Sequence, residues 1–248
     1  MAYRSFTFDG KNSLSYGIYI TGSGVYNAPA RVVDKISVPG RNGDILIDQG
    51  HFENVVLEYP AGAFGEDQAD FASKIRTIRN LLCARPGYCR LTDEYNPDEY
   101  RLAAYLSGLE MEPVPFQRAA EFSLVFDCKP QRFLLSGETE QTFTASGTID
   151  NPTAFAARPL LVVTGYGNLT VGSDTLTIMD GGGGAAQVLY IDCEVQEAWE
   201  LVGGAKVSRN DYIQYSTGEF PALKAGTNTI TLAGTMSKVK ITPRWWRI

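Results

Sequence analysis

Four carboxylates fall within eight residues, Asp93-Glu94-Tyr95-Asn96-Pro97-Asp98-Glu99-Tyr100. Such a cluster could supply oxygen ligands to calcium or an acid/base pair for hydrolysis. Its spacing matches no EF-hand loop, and Asn-Pro between two strands makes the solvated tip of a hairpin. A glycosidase would need Asp93 and Glu99 about 5–9.5 Å apart across a cleft. His51, the single histidine, could act as a general base, but no GxSxG segment or cysteine signature supplies a nucleophile beside it. One imidazole also rules out any metal site that needs two. Cys83, Cys89, Cys128 and Cys193 have neither CxxC spacing nor the density of a disulfide scaffold, so reduced thiols are expected. No catalytic residue, metal or cofactor is therefore assigned.

Two further patterns invite a binding function. The series Gly165-Tyr166-Gly167-Asn168-Leu169-Thr170-Val171-Gly172 follows an apolar strand, but it is not GxGxxG, no Lys-Ser/Thr pair follows it, and no helix begins there to aim amides at phosphate. A tight strand connection is the expectation, and a flexible loop at 181–184. Trp199, Trp245 and Trp246 could form a sugar-stacking platform. Adjacent tryptophans on a strand point to opposite sides, so one of Trp245 and Trp246 is expected in the core and the other at a partner surface.

The elements that would carry these residues are mostly strands. Short β-rich runs occupy 4–8, 14–20 and 31–38, and Pro-Gly and Asn-Gly within 37–48 predict a β-hairpin. Another strand follows at 53–59. From 67 to 83 the period changes: Phe71, Ile75, Ile78 and Leu82 recur at steps of four, three and four, with Lys74, Arg76 and Arg79 between them. Asp67 and Asp70 suit the positive end of this helix, and Arg85-Pro86-Gly87 stops it. Strands return at 88–92, 100–106 and 119–127, the last with Phe122, Leu124 and Phe126 on one face.

The chain then turns polar between 130 and 150, which places a domain boundary near Leu135. Domains of residues 1–135 and 136–248 result. The second reads as strands alone, at 160–164, 174–179, 187–192, 228–232 and 237–242, as in an antiparallel β-sandwich with one wet face.

Composition bounds the function. The 248 residues are 44% hydrophobic and 20% charged, with 25 glycines and 12 prolines, a packed globular chain rich in turns. No apolar run approaches the length that spans a bilayer. The N-terminal segment lacks the apolar stretch of a secretory signal, so folding in a cytoplasm is expected. Net charge is −6, and 14 basic and 17 acidic residues precede the boundary against 8 and 11 after it. Neither part is a basic surface, so tight nucleic-acid binding is not expected.

The order of features resembles the distal tail protein (Dit) of long-tailed bacteriophages, the siphovirus tail component family. The carrying segments are Phe6-Thr7-Phe8-Asp9-Gly10, Val38-Pro39-Gly40-Arg41-Asn42-Gly43, the helix at 67–83, Phe122-Ser123-Leu124-Val125-Phe126, Asn151-Pro152-Thr153 with Arg158-Pro159, Ile191-Asp192, Gly218-Glu219-Phe220-Pro221, Gly226-Thr227-Asn228-Thr229-Ile230 and Pro243-Arg244-Trp245-Trp246. They span nearly the whole chain.

The resemblance implies a mainly β protein. A tail-tube-like belt domain with one helix would be followed by a galectin-like β-sandwich. It implies a virion protein of the tail tip, made in the host cytoplasm, with six copies in a ring, single or stacked. That ring would join the tail tube protein to the tail-associated lysin-like hub protein and serve host-adsorption proteins. Tape measure and receptor-binding proteins are further candidate partners, and DNA would pass through the lumen. Larger relatives carry inserted carbohydrate-binding modules, for which this chain has no room. Candidate contacts between copies are Arg41 in the hairpin and Arg76 and Arg79 on the helix, opposite Asp93 and Asp98. The competing functional class is a lectin-like module using the C-terminal tryptophans.

Overall fold

A computed structural model of the chain describes residues 3–22, 26–113, 118–216 and 218–248, with positions 112 and 113 described for the backbone alone. It separates into two compact units, Met1–Arg132 with Ile248, and Phe133–Arg247. The division falls just before the boundary expected near Leu135, inside the single strand Ala119–Leu134. The polar composition beyond it begins at the 3-10 turn Leu135–Glu138.

In the first unit an antiparallel sheet runs in the order Lys11–Asn12, Phe6–Phe8, Cys89–Asp93, Glu99–Ala104, Ala119–Leu134, Val55–Phe64 and Ile18–Ile20. Its path closes on itself. Arg4, just before the Phe6–Phe8 strand, exchanges backbone bonds of 3.2 and 2.8 Å with Ile20 on the last strand. Curling lets alternate residues meet inside: Leu57, Tyr59 and Ala61 from one long strand, Phe122, Leu124 and Phe126 from its partner. Four rings surround Phe126, those of Phe6, Phe8, Tyr59 and Tyr105, at centroid distances of 5.3–6.2 Å.

The helix Gln68–Cys83 begins where Asp67 accepts a 2.8 Å bond from the Asp70 N–H, the N-cap that leaves one fewer unpaired amide. It buries Phe71, Ile78 and Leu82 and leaves Arg76 and Arg79 exposed. The strand expected at 14–20 is shorter than its sequence pattern. Residues Ser13–Tyr16 form a 3-10 turn that Asn12 caps, and only Ile18–Ile20 pairs.

Arg31–Ile36 and Ile45–Phe52 form the expected hairpin as a sheet of their own, in register Asp34↔Ile47, Lys35↔Leu46 and Ile36↔Ile45. No other strand pairs with either of them among the described residues.

The second unit has two sheets with the core between them. One runs Gln141–Phe143, Lys238–Thr242, Leu160–Thr164, Val188–Asp192, Glu197–Val202, Ala205–Ser208; the other runs Gly147–Asn151, Gly226–Leu232, Gly167–Val171, Asp174–Ile178, Ile213–Tyr215. The glycine series at 165–172 is thus more than a connection, because Gly167–Val171 is a strand whose Leu169 and Val171 are fully buried. Its glycines answer to close approach. A Cβ on Gly165 would sit 2.5 Å from the Thr235 carbonyl oxygen, and one on Gly167 2.2 Å from that of Ala233.

Candidate assembly surfaces

The carboxylate cluster is bonded within its own chain. One Asp93 oxygen accepts from the buried Tyr59 hydroxyl, and the other accepts the Tyr95 and Asn96 amides at 2.9 Å each. Asp93 is thereby tied inside its own chain. Glu99 is 3% exposed and meets Arg132 at 3.3 Å. Arg101 lies buried in the same network, where loss of solvent and then the Arg132 charge draw its pKa below the ordinary arginine value. These groups hold a hairpin turn and a buried ion network, an arrangement that lends no support to the calcium or glycosidase reading.

Three of the four thiols are closed as well. Burial pushes Cys128 and Cys193 up to about 12, and Cys89 is buried while Cys83 is exposed. No three His, Cys, Asp or Glu residues among those described stand close enough to hold a metal. No described helix is long and apolar enough to cross a membrane.

The three tryptophans separate. Trp245 is 3% exposed, in the core of the second unit, as expected of one of the adjacent pair. Trp246 stacks on Phe155 at 4.5 Å and donates to the Ala156 carbonyl at 2.9 Å, so it too is engaged within the unit. Trp199 stacks on Tyr190, and Lys206 sits 3.6 Å over its ring, held by Glu197 at 3.0 Å. Any sugar ring would have to displace that lysine.

Arg244 links distant segments. It bonds Asp192 through both guanidinium ends, at 2.7 and 2.8 Å, and the same carboxylate accepts the Glu194 and Val195 amides. The link ties Ile191-Asp192 to Pro243-Arg244 across 52 residues, a pairing that no local pattern reveals. Burial opposes ionisation of Asp192, but the Arg244 bonds and charge and the two amides outweigh it and hold its pKa below the usual range. Stability from a depressed carboxylate is complete above its unfolded value, about pH 4, and lost as pH falls through the folded value. Arg244→Ala should cost about 2 kcal/mol near neutral pH. Paired urea titrations should show that gap narrowing below about pH 4; a gap independent of pH would refute the ionic link.

What remains exposed is the hairpin. Ile36, Ile45, Leu46 and Ile47 are 46, 38, 63 and 45% exposed. Register puts Ile36, Ile45 and Ile47 on one face and Leu46 with Lys35 on the other. Arg41 lies at the exposed tip and His51 on an exposed strand, its Nδ1 3.1 Å from the Gln49 carbonyl. Asp98 is exposed on its own turn. The sequence marks the hairpin by its turn residues but carries no sign that neither face is covered.

No protein-family model matches the sequence, and no curated protein matches it. Solved structures do match. The crystal structure of SPP1 Dit (gp 19.1), described as a paradigm of the hub adsorption apparatus in phages infecting Gram-positive bacteria, superposes with a TM-score of 0.71, 15% identity and 100% coverage of both chains. This chain has the distal tail protein fold. Chains from the phage P2 baseplate in its activated conformation match with a TM-score of 0.56: that with Ca at 9% identity over 97% of this chain and 98% of the other, and that with Sr at 10% over 100% and 99%. The Dit fold thus accounts for both units, as the sequence resemblance implies, and for the mainly β architecture with its helix.

Proposed function

We propose that this chain is a structural protein of a phage tail tip, in which six copies close a ring that joins the tail tube to the lysin-like hub protein. The observation that carries the proposal is the uncovered hairpin, on a chain with a hub-protein fold. A lone two-stranded ribbon is marginal in water, and its unpaired edges and isoleucine face call for a neighbour. The sheet path in the rest of that unit is already closed, so the ribbon is the part left to pair. A contact between two different patches of identical chains is heterologous, and it closes into a ring when the rotation fits. Arg41 at the ribbon tip and Arg76 and Arg79 on the exposed helix face are the basic contacts, with Asp98 a candidate acid. A net charge of −6 suits a lumen through which DNA slides.

Light scattering after size exclusion tests the ring. Six copies of 27.1 kDa give about 163 kDa, and that mass should persist on dilution. A monomer at every concentration, still monomeric when mixed with tail tube and hub proteins, would overturn the ring. A glycan screen would then come next, although the lysine over Trp199 speaks against the lectin reading.

A further inference from the structure

The six-stranded sheet of the second unit is slit. Val188–Asp192 and Glu197–Val202 pair at Asp192↔Glu197, Ile191↔Ala198 and Tyr190↔Trp199, and the ladder stops there. Both strands continue, each held from its far side: Val188 by Thr164, Leu201 by Lys206.

Backbone direction shows what the slit presents. In an antiparallel ladder a residue turns its N–H and C=O to one side, and the next residue turns them to the other. The Gly165 amide bonds the Gln187 carbonyl, and the Cys193 amide bonds that of Pro159. Odd positions therefore face the Leu160–Thr164 side, and Val188 faces the slit. The Arg209 amide bonds the Ala198 carbonyl, which turns even positions of the next strand outward and Leu201 back toward Val188. Two strand edges thus face each other across a groove of about 600 Å³, lined by Gln187, Val188, Tyr190, Glu200, Leu201 and Val202.

The groove is also apolar where a sheet would cover it. Val202 has the parity of the fully buried Ala198, yet it is 53% exposed, beside Leu201 at 52% and Val188 at 39%. Gln187 and Glu200 already have partners. Gln187 accepts from the Gly181 amide and donates to the Met179 carbonyl, and Glu200 holds Arg209 at 2.6 Å. The charge of Glu200 is thus taken up by Arg209, and the one polar side chain of the lining with no hydrogen bond is Tyr190, whose ring stacks on Trp199.

We propose that this slit takes an uncharged, extended segment of a partner protein, which inserts as a strand and bonds Val188 on one side and Leu201 on the other. Its β-branched side chains would cover Val188, Leu201 and Val202. The site is independent of the hairpin and of ring closure.

The full chain can be titrated with the blocked pentapeptide Thr-Val-Thr-Val-Thr at millimolar concentration, following amide hydrogen exchange. The Val188 and Leu201 amides should slow about ten-fold. A peptide N-methylated at alternate residues should lose the effect, because one row of its donors is gone. Leu201→Pro should abolish the response yet fold normally, since that N–H serves no ladder in the free protein. Unchanged exchange at both amides would overturn the proposal. So would equal protection by the methylated peptide, which would mean apolar contact alone, or protection confined to the Ala205–Ser208 edge. N-acetylglucosamine that protected these amides when the peptide did not would reassign the slit to carbohydrate.

Discussion

Changing Ile36, Ile45 and Ile47 together to serine is expected to weaken assembly and leave the fold intact. In the isolated chain these side chains are already 38–46% exposed, and surface substitutions of this kind stay within about 0.5 kcal/mol each. At a subunit contact the still-exposed two-fifths of each isoleucine is worth roughly 0.6–1.3 kcal/mol of burial, so three together should weaken association by roughly 20- to 1,000-fold. Light scattering and a thermal melt on the same sample separate the two effects. A variant that assembles like its parent would show that the ribbon is not the joint between copies. A variant that unfolds would show that the ribbon supports its own unit, which its isolation from other strands argues against.

The second large effect lies in the first unit. Glu99→Ala should destabilise it by about 3–5 kcal/mol, because truncating one partner of a buried pair leaves the other charge unpaired. Here the loss would leave Arg132 beside the buried Arg101 with its nearest compensating carboxylate gone. A melting temperature lower by roughly 10 °C or more should follow, read from the helical circular dichroism signal, since the helix Gln68–Cys83 belongs to this unit. Glu99→Gln, which keeps an acceptor, should fall between. A catalytic carboxylate would behave otherwise: its removal would leave the melt unmoved.

Much of this architecture was legible wherever one face of an element is covered. The steps between Phe71, Ile75, Ile78 and Leu82 encode a helix face, and Phe122, Leu124 and Phe126 encode a strand face, because burial selects apolar side chains at the period of the backbone. The strands that escaped notice lack that selection. Glu197–Val202 and Ala205–Ser208 peel away from the core, so their side chains meet solvent or the slit and alternate in no simple way. Gly167–Val171 hid behind glycines set there by the approach of residues 233–236. The candidate contact residues differ in their own-chain partners. Arg41, Arg76 and Arg79 are exposed as charged residues usually are, whereas Asp93 answers to Tyr59, a partner 34 positions away that spacing cannot reveal.

The sealed thiols bear on durability. A thiol near 12 is ionised in only roughly one molecule in 10⁵ at neutral pH, and the thiolate is the form that oxidants and disulfides attack. Cys128 and Cys193 are protected in this way, and Cys89 by burial. Cys83, exposed, has no second exposed cysteine in its own chain to bridge to. Within one chain no disulfide can therefore form without unfolding, and oxidation of the folded protein falls on Cys83 alone.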